Sequence, residues 1–250
     1  MKETASVEVG ERQRMLAENR RRDAEVPAER YAAWDPAETS MRLERRRLAG
    51  RMLHRAGAFP GVGTPCLEVG YGALGWLGEL VAWGVAERRL HGMELDAERA
   101  ARAREVLPAA DLRVGDAAEL PWPEASFGLV VASTVFTSVL APATRRRMAA
   151  EIVRVLRPGG ALLWYDLRVD NPRNRAVRGI GRRQLRELVA PLTGEIRSLT
   201  LAPPLARRVA PRSHLAAELL AALPFLRTHL LAVLVKPPSR GVSEESASPL

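Results

Sequence analysis

A short apolar run, PCLEV at 65–69, leads straight into Gly70, Tyr71 and Gly72, with Gly75 three residues on. Five residues suit a strand and are too few for a helix. Clustered glycines permit the positive φ angles of a sharp turn and leave room for close approach to the backbone. The segment ALGWLGELVAWG that follows (73–84) reads as a helix with Leu77, Leu80 and Val81 turned inward. Strand, glycine turn and helix in that order open a parallel βαβ unit.

The same alternation repeats along the chain. Further strands are expected at 88–95, 111–115, 127–134, 161–167, 195–202 and 228–236, with helices at 97–107, 144–156, 182–192 and 214–223. The run FGLVVAST (127–134) is apolar throughout, as in a strand buried on both faces. Asp96 precedes one helix as an N-cap, and RPGG (157–160) stops another. The expectation is an α/β fold with a doubly wound, seven-stranded, mostly parallel sheet. Ahead of it, Asp35 followed by Pro36 starts a helix whose Met41, Leu48 and Met52 share a face. The expected organisation is a flexible segment at 1–26, a helical lid at 27–58, the main domain at 59–238 and a disordered tail at 239–250.

The net charge of +9 raises the question of nucleic acid. Apart from Lys2 and Lys236 the basic residues are arginines, in short runs such as 45–47 and 145–147, with acids interspersed. No aromatic residues interleave with these runs to stack bases, so no nucleic-acid partner is expected. Cys66 is the one cysteine and the four histidines are scattered, so neither a disulfide nor a metal site is expected. The N-terminus lacks the apolar core of a secretion signal. The apolar stretch 215–235 is interrupted by Pro224, Arg227 and His229, so a membrane span is not expected and a cytoplasmic location is.

Gly70, Gly72 and Gly75 match the spacing of a dinucleotide loop, and Glu94 follows a little over twenty positions later. The neighbours point elsewhere. Glu68, at the end of the first strand, is awkward beside a pyrophosphate of the same sign. It suits a ligand carrying an ammonium and a sulfonium, as S-adenosylmethionine does. Glu94 at the end of the second strand can accept from ribose hydroxyls. Asp116 after the third can accept from an adenine amino group, with a backbone N–H beside it.

The segments LEVGYGALGWL, GMELD, VGDAAELPWPEASFGLVVASTVF and EIVRVLRPGGALLWYDL stand in order over roughly 65–170. They resemble the class I S-adenosylmethionine-dependent methyltransferases, in the subgroup similar to the ubiquinone and menaquinone methyltransferases. The resemblance implies that the last strand is antiparallel and that the cofactor is S-adenosyl-L-methionine. It implies Glu68, Gly70 and Gly72 along the methionine moiety, Glu94 on the ribose, Asp116 and Ala117 on the adenine, and Ser133 near the sulfur. Tyr31 is expected to fold over the cofactor from the lid or to pack the helix on the sheet. Tyr71, Ala73 and Leu74 depart from the family's small residues, and a bulky Leu74 is expected to alter the loop and weaken cofactor affinity.

The segments 133–140, 164–185 and 200–211 look like a bacterial subgroup acting on small molecules. That resemblance implies O-methylation of a sugar, polyketide or other secondary metabolite. A hydroxyl acceptor loses its proton on transfer. Asp166 and Tyr165, at the end of the fifth strand, are the candidate bases, Asp166 first. The other reading has Asp166 holding the irregular loop DNPRN that follows. Two alternatives stand beside methyl transfer to a small molecule: a protein of the same fold that binds without catalysis, and an RNA or protein methyltransferase.

Overall fold

The computed structural model describes residues 2–172 and 174–238. Its centre is a seven-stranded sheet ordered β3-β2-β1-β4-β5-β7-β6. The strands are β1 (Cys66–Val69), β2 (Leu90–Glu94), β3 (Asp111–Val114), β4 (Phe127–Ser133), β5 (Leu156–Leu167), β6 (Thr193–Leu201) and β7 (Arg227–Val235). β7 pairs antiparallel with both β5 and β6, and the β3-β2-β1-β4-β5 pairs are parallel. The order turns back between β1 and β4, where open α/β sheets leave a crevice at the strands' carboxyl ends.

Both faces of the sheet are apolar because successive strand residues alternate between them. Leu67, Val130, Ala132, Leu162, Trp164 and Leu230 belong to one core cluster, which includes Met148 and Ile152 of α5 (Pro142–Val155) and Leu185 of α6 (Arg182–Leu188). Cys66, Leu129, Val131, Leu163, Tyr165 and Leu231 belong to the other. It takes in Met52 and Leu53 of α2 (Pro36–Arg55), Leu77 and Leu80 of α3 (Leu77–Ala82), and Ala100 and Ala103 of α4 (Ala97–Val106). Each fully buried Leu or Ile side chain contributes about 1.5–3 kcal/mol, so helices on both sides are what hold the sheet. The remaining helices, α7 (Pro203–Val209) and α8 (His214–Ala222), sit between β6 and β7 and pack against α2 through a small alanine-rich core.

The structure departs from the sequence reading at several points. Residues 1–26, expected to be a flexible segment, disordered or loosely helical, hold a continuous helix α1 (Lys2–Glu25), whose ion pairs Arg14–Glu11, Arg21–Glu18 and Arg21–Glu25 lie at helical spacing. The helix expected from 73 starts only at Leu77, because Gly75 has φ 54° and the turn before it is not helical. Val81 of that helix is exposed rather than inward, while Trp122, in the loop before β4, is buried edge-on against Phe127 and His91. α7 has no counterpart in the sequence reading; two prolines start it. In the segment expected as a lid, α2 packs on the face made by β5, β7 and β6. The expected tail at 239–250 lies outside the described residues.

Candidate functional site

The loops after β1, β2 and β3 are tied together by backbone bonds. The Gly70 N–H donates to the Met93 carbonyl (2.7 Å), the Gly72 N–H to Glu94 Oε2 (2.7 Å), and the Gly115 N–H to the Glu94 carbonyl (2.9 Å). Gly70, Gly72 and Gly75 all have positive φ, between 54° and 68°. At two of them a side chain is excluded by the protein itself. A Cβ on Gly70 would stand 2.4 Å from Val135 Cγ2, and one on Gly75 would stand 2.4 Å from Glu68 Oε1. Gly72 differs: a Cβ there would meet nothing within 4 Å, so the loop presents bare backbone to open space.

Glu68 is buried under this loop. Its Oε2 accepts from the N–H groups of Trp76 (2.7 Å) and Leu77 (2.9 Å), capping α3, whose N-cap residue Trp76 offers no side-chain acceptor. Burial pushes its carboxyl up to about 8, against the pull of those two bonds and of Arg45. Glu94 is also buried, with Oε1 accepting from the Asp96 N–H (3.0 Å). Each of its oxygens keeps a lone pair for a further donor. Asp116 Oδ1 accepts from the Ala118 N–H (2.9 Å), while Oδ2 faces Arg12 at 3.8 Å. Ala117 is partly buried against the core, and Ser133 ends β4 half-buried. Glu94, Asp116 and Gly72 are thus joined through one bonded frame, with Gly70 at its base.

The two bulky departures in the loop turn away from that open space. Tyr71 is buried against Gly92 of β2, where a Cβ would stand 2.4 Å from its ring, and its hydroxyl donates to the Arg113 carbonyl (3.4 Å). Leu74 packs on Gly78 of α3. Glycine at 92 and 78 is what accommodates them.

Asp166 is 1% exposed and holds the turn after β4. It accepts from the Thr137 N–H (3.1 Å), the Thr137 hydroxyl and the Leu167 N–H (3.0 Å), and burial lifts its carboxyl to about 6 against those bonds. It bonds across to that turn rather than to the loop that follows it. The Tyr165 hydroxyl is shared with Thr200 Oγ1 (2.9 Å) and its ring stacks on His229 (4.8 Å, 3°). Burial raises the Tyr165 phenol and lowers His229 to about 4. Tyr31 stands in the turn between α1 and α2, 40% exposed, its hydroxyl accepting from Arg22 (3.2 Å).

Sequence reasoning passed over Arg45. Its run reads as surface charge, yet Arg45 alone of the three turns inward, its guanidinium 4.8 Å above the Tyr165 ring and 5.4 Å above the Trp76 ring. Among the described residues no carboxylate forms an ion pair with it. The signal was present: Ala37, Met41, Arg45, Ala49 and Leu53 recur every four residues, so Arg45 stands in the row that faces the core. α1 was also passed over. It crosses the carboxyl ends of the strands, with Glu11 accepting from the Leu140 and Ala141 N–H groups, Arg14 donating to the Ser138 carbonyl, and Asp23 paired with Arg99 at 2.7 Å. A groove of about 540 Å³ lies elsewhere, between α2, β6, α7 and α8, and no glycine-loop residue lines it.

Residues 67–164 match the model of a methyltransferase domain. Among curated proteins, 113 residues are 38% identical to a probable S-adenosylmethionine-dependent methyltransferase of Mycolicibacterium smegmatis, covering 45% of this chain and 40% of that one. A 68-residue segment is 47% identical to phthiotriol/phenolphthiotriol dimycocerosates methyltransferase 1 of Mycobacterium ulcerans, covering 27% and 24%. The matched segments therefore span less than half the length of either relative. Among solved structures, geranyl diphosphate C-methyltransferase of Streptomyces coelicolor, in complex with S-adenosyl-L-homocysteine, superposes with TM-score 0.57 at 16% identity, over 76% of this chain and 77% of that one. The cyclase SpnF superposes with TM-score 0.55 at 20% identity, over 77% and 82%.

Proposed function

We propose that this chain, whose residues 67–164 match a methyltransferase domain, is a class I S-adenosylmethionine-dependent methyltransferase that methylates a hydroxyl on a small molecule of sugar, polyketide or related secondary-metabolite type. The observation that carries the reading is the bare backbone at Gly72, bonded to Glu94 on the neighbouring strand with Asp116 following the strand beyond it, next to the point where the strand order turns back. The donor set fits S-adenosylmethionine. Glu94 accepts from the ribose hydroxyls, Asp116 from the adenine amino group, and the Ala117 N–H faces a ring nitrogen. The backbone of Gly70 and Gly72 follows the methionine moiety, Ser133 stands by the reacting end, and Tyr31 closes the entrance. Arg45 supplies the cation that the methionine carboxylate needs; it has no other ion-pair partner among the described residues. Glu68 acts through the loop, whose shape it holds from below.

The bound cofactor supplies an electrophilic methyl carbon on a sulfonium, and in-line positioning of the acceptor is what the protein adds. Asp166 is a positioning residue that fixes the turn after β4, since its oxygens are already engaged. The relatives named for phthiotriol dimycocerosates support the apolar end of the acceptor range. A second reading, binding without methyl transfer, draws on that engagement of Asp166.

Calorimetric titration with S-adenosylmethionine, S-adenosylhomocysteine and NADH tests the cofactor. Micromolar binding of the first two and none of NADH is expected. Asp116→Ala is expected to weaken binding about tenfold, the loss of one hydrogen bond to a charged group. A folded protein that binds neither sulfur nucleoside would sink the proposal. Transfer of labelled methyl to a panel of hydroxylated acceptors then separates the two readings, because binding with no turnover leaves the second.

A further inference from the structure

The outer face of α8 carries Leu215 and Leu219, spaced four apart and so in line, and exposed apolar side chains continue at its C-cap Leu223 and at Phe225 in the turn Pro224–Leu226. These side chains are 66%, 63%, 39% and 75% exposed. None of them is needed inside: the opposite face of α8, with Ala217, Leu220 and Ala221, already packs on Ala37, Leu201 and Ala206. Contiguous apolar surface of this kind marks an interaction site.

The charge beside it is one-sided. Between 201 and 226 the basic residues are Arg207, Arg208, Arg212 and His214, and the one acid, Glu218, is paired with His214 at 3.2 Å. Among the described residues no carboxylate pairs with the three arginines. Leucines and a phenylalanine bordered by arginines are the composition of an element that lies in a bilayer interface. Arginine near a surface of anionic lipid adds electrostatic attraction to apolar insertion. A second copy of this chain is a poor fit to the same face. A two-fold interface brings this whole patch against its equivalent, which gathers the arginines of both copies in one interface with only the Glu218 of each to offset them.

We propose that the α7–α8 hairpin docks this protein on an anionic lipid surface, with Leu215, Leu219, Leu223 and Phe225 entering the acyl boundary and the exposed Arg208 and Arg212 meeting the headgroups.

Vesicle flotation of the full chain tests this without reference to methyl transfer. The two probes are phosphatidylcholine vesicles and phosphatidylcholine vesicles containing about 30% phosphatidylglycerol. Binding to the anionic vesicles is expected to exceed that to the neutral ones by about tenfold and to fall as salt rises. The double variant Leu215→Ser, Leu219→Ser is expected to lose about tenfold in binding to both. Arg208→Gln with Arg212→Gln is expected to keep the neutral-vesicle level and lose the anionic preference. All four positions are exposed, so both variants are expected to unfold at the wild-type temperature, which thermal melts check. The proposal fails if the wild type does not float with anionic vesicles, or if the leucine variant floats as well as the wild type. It also fails if the leucines instead hold a dimer that sedimentation detects and lipid does not affect.

Discussion

A carboxyl that is almost wholly buried and holds three donors cannot take a proton from a substrate without releasing the turn it pins. That is the situation of Asp166. Its titration carries a signature. The unfolded chain keeps the ordinary value of 3.8, while burial in the fold lifts it to about 6. Between those values the folded chain holds a proton that the unfolded chain has released, so this group's stabilisation is complete below 3.8 and is lost as pH rises through 6. Asp166→Asn does not titrate. The advantage of wild type over variant in urea melts is expected to shrink by about 2 kcal/mol between pH 4 and pH 7. The glycines separate stability from binding at the same scale. Gly70→Ala drives a Cβ into Val135 at a φ of 68°, and a loss of about 2 kcal/mol in thermal melts is expected. Gly72→Ala meets no protein atom, so it is expected to cost about 1 kcal/mol in stability. Its methyl group projects where the proposed cofactor passes, and calorimetry is expected to register the larger effect there.

Elements are set by what caps and covers them. α5 begins at Pro142 with no side-chain cap of its own, and the two amides just ahead of it, those of Leu140 and Ala141, donate to Glu11 of α1. Burial works to raise the Glu11 carboxyl, but bonds from Arg14, Leu140 and Ala141 outweigh it and hold the group below its ordinary value. The contribution is therefore present above that value and lost as pH falls. Glu11→Ala is expected to cost about 1 kcal/mol, the net worth of a hydrogen bond, and to speed limited proteolysis within α1 several-fold while the sheet domain stays intact. Unchanged proteolysis would mean that Arg14, Met15 and the Asp23–Arg99 pair hold α1 without it.

At the scale of the whole molecule the sheet couples both core clusters, because each interior strand contributes to both. Cys66, at the start of β1, reports on that coupling. Its thiol is fully buried, and burial pushes it up to about 12, so the reactive thiolate is scarce in the folded state. Reaction with a thiol reagent is expected to be undetectable in the native protein and to rise along the same urea curve as loss of circular dichroism. Labelling well before the main transition would show that β1 opens as a separate unit.

Local chemistry in the sequence was sufficient for the strand–helix alternation, the doubly wound class and the glycine turn. Strand periodicity, helix caps and glycine clusters are properties of neighbours in the chain. The same holds for the positions of Glu94 at the end of β2 and Asp116 just after β3. Other features depend on residues far apart in sequence. α1 is mostly polar, and its ion pairs and its docking at Leu140, Asp116 and Arg99 accompany a helix that periodicity did not reveal. Glu68 turned under the loop because the N-terminus of α3 needed an acceptor eight residues on. Asp166 went to Thr137, and Arg45 to Trp76 and Tyr165, because packing brought those partners together. A side chain's partner across the fold is decided by tertiary contact, and only there does a carboxyl become either a cap or a free group.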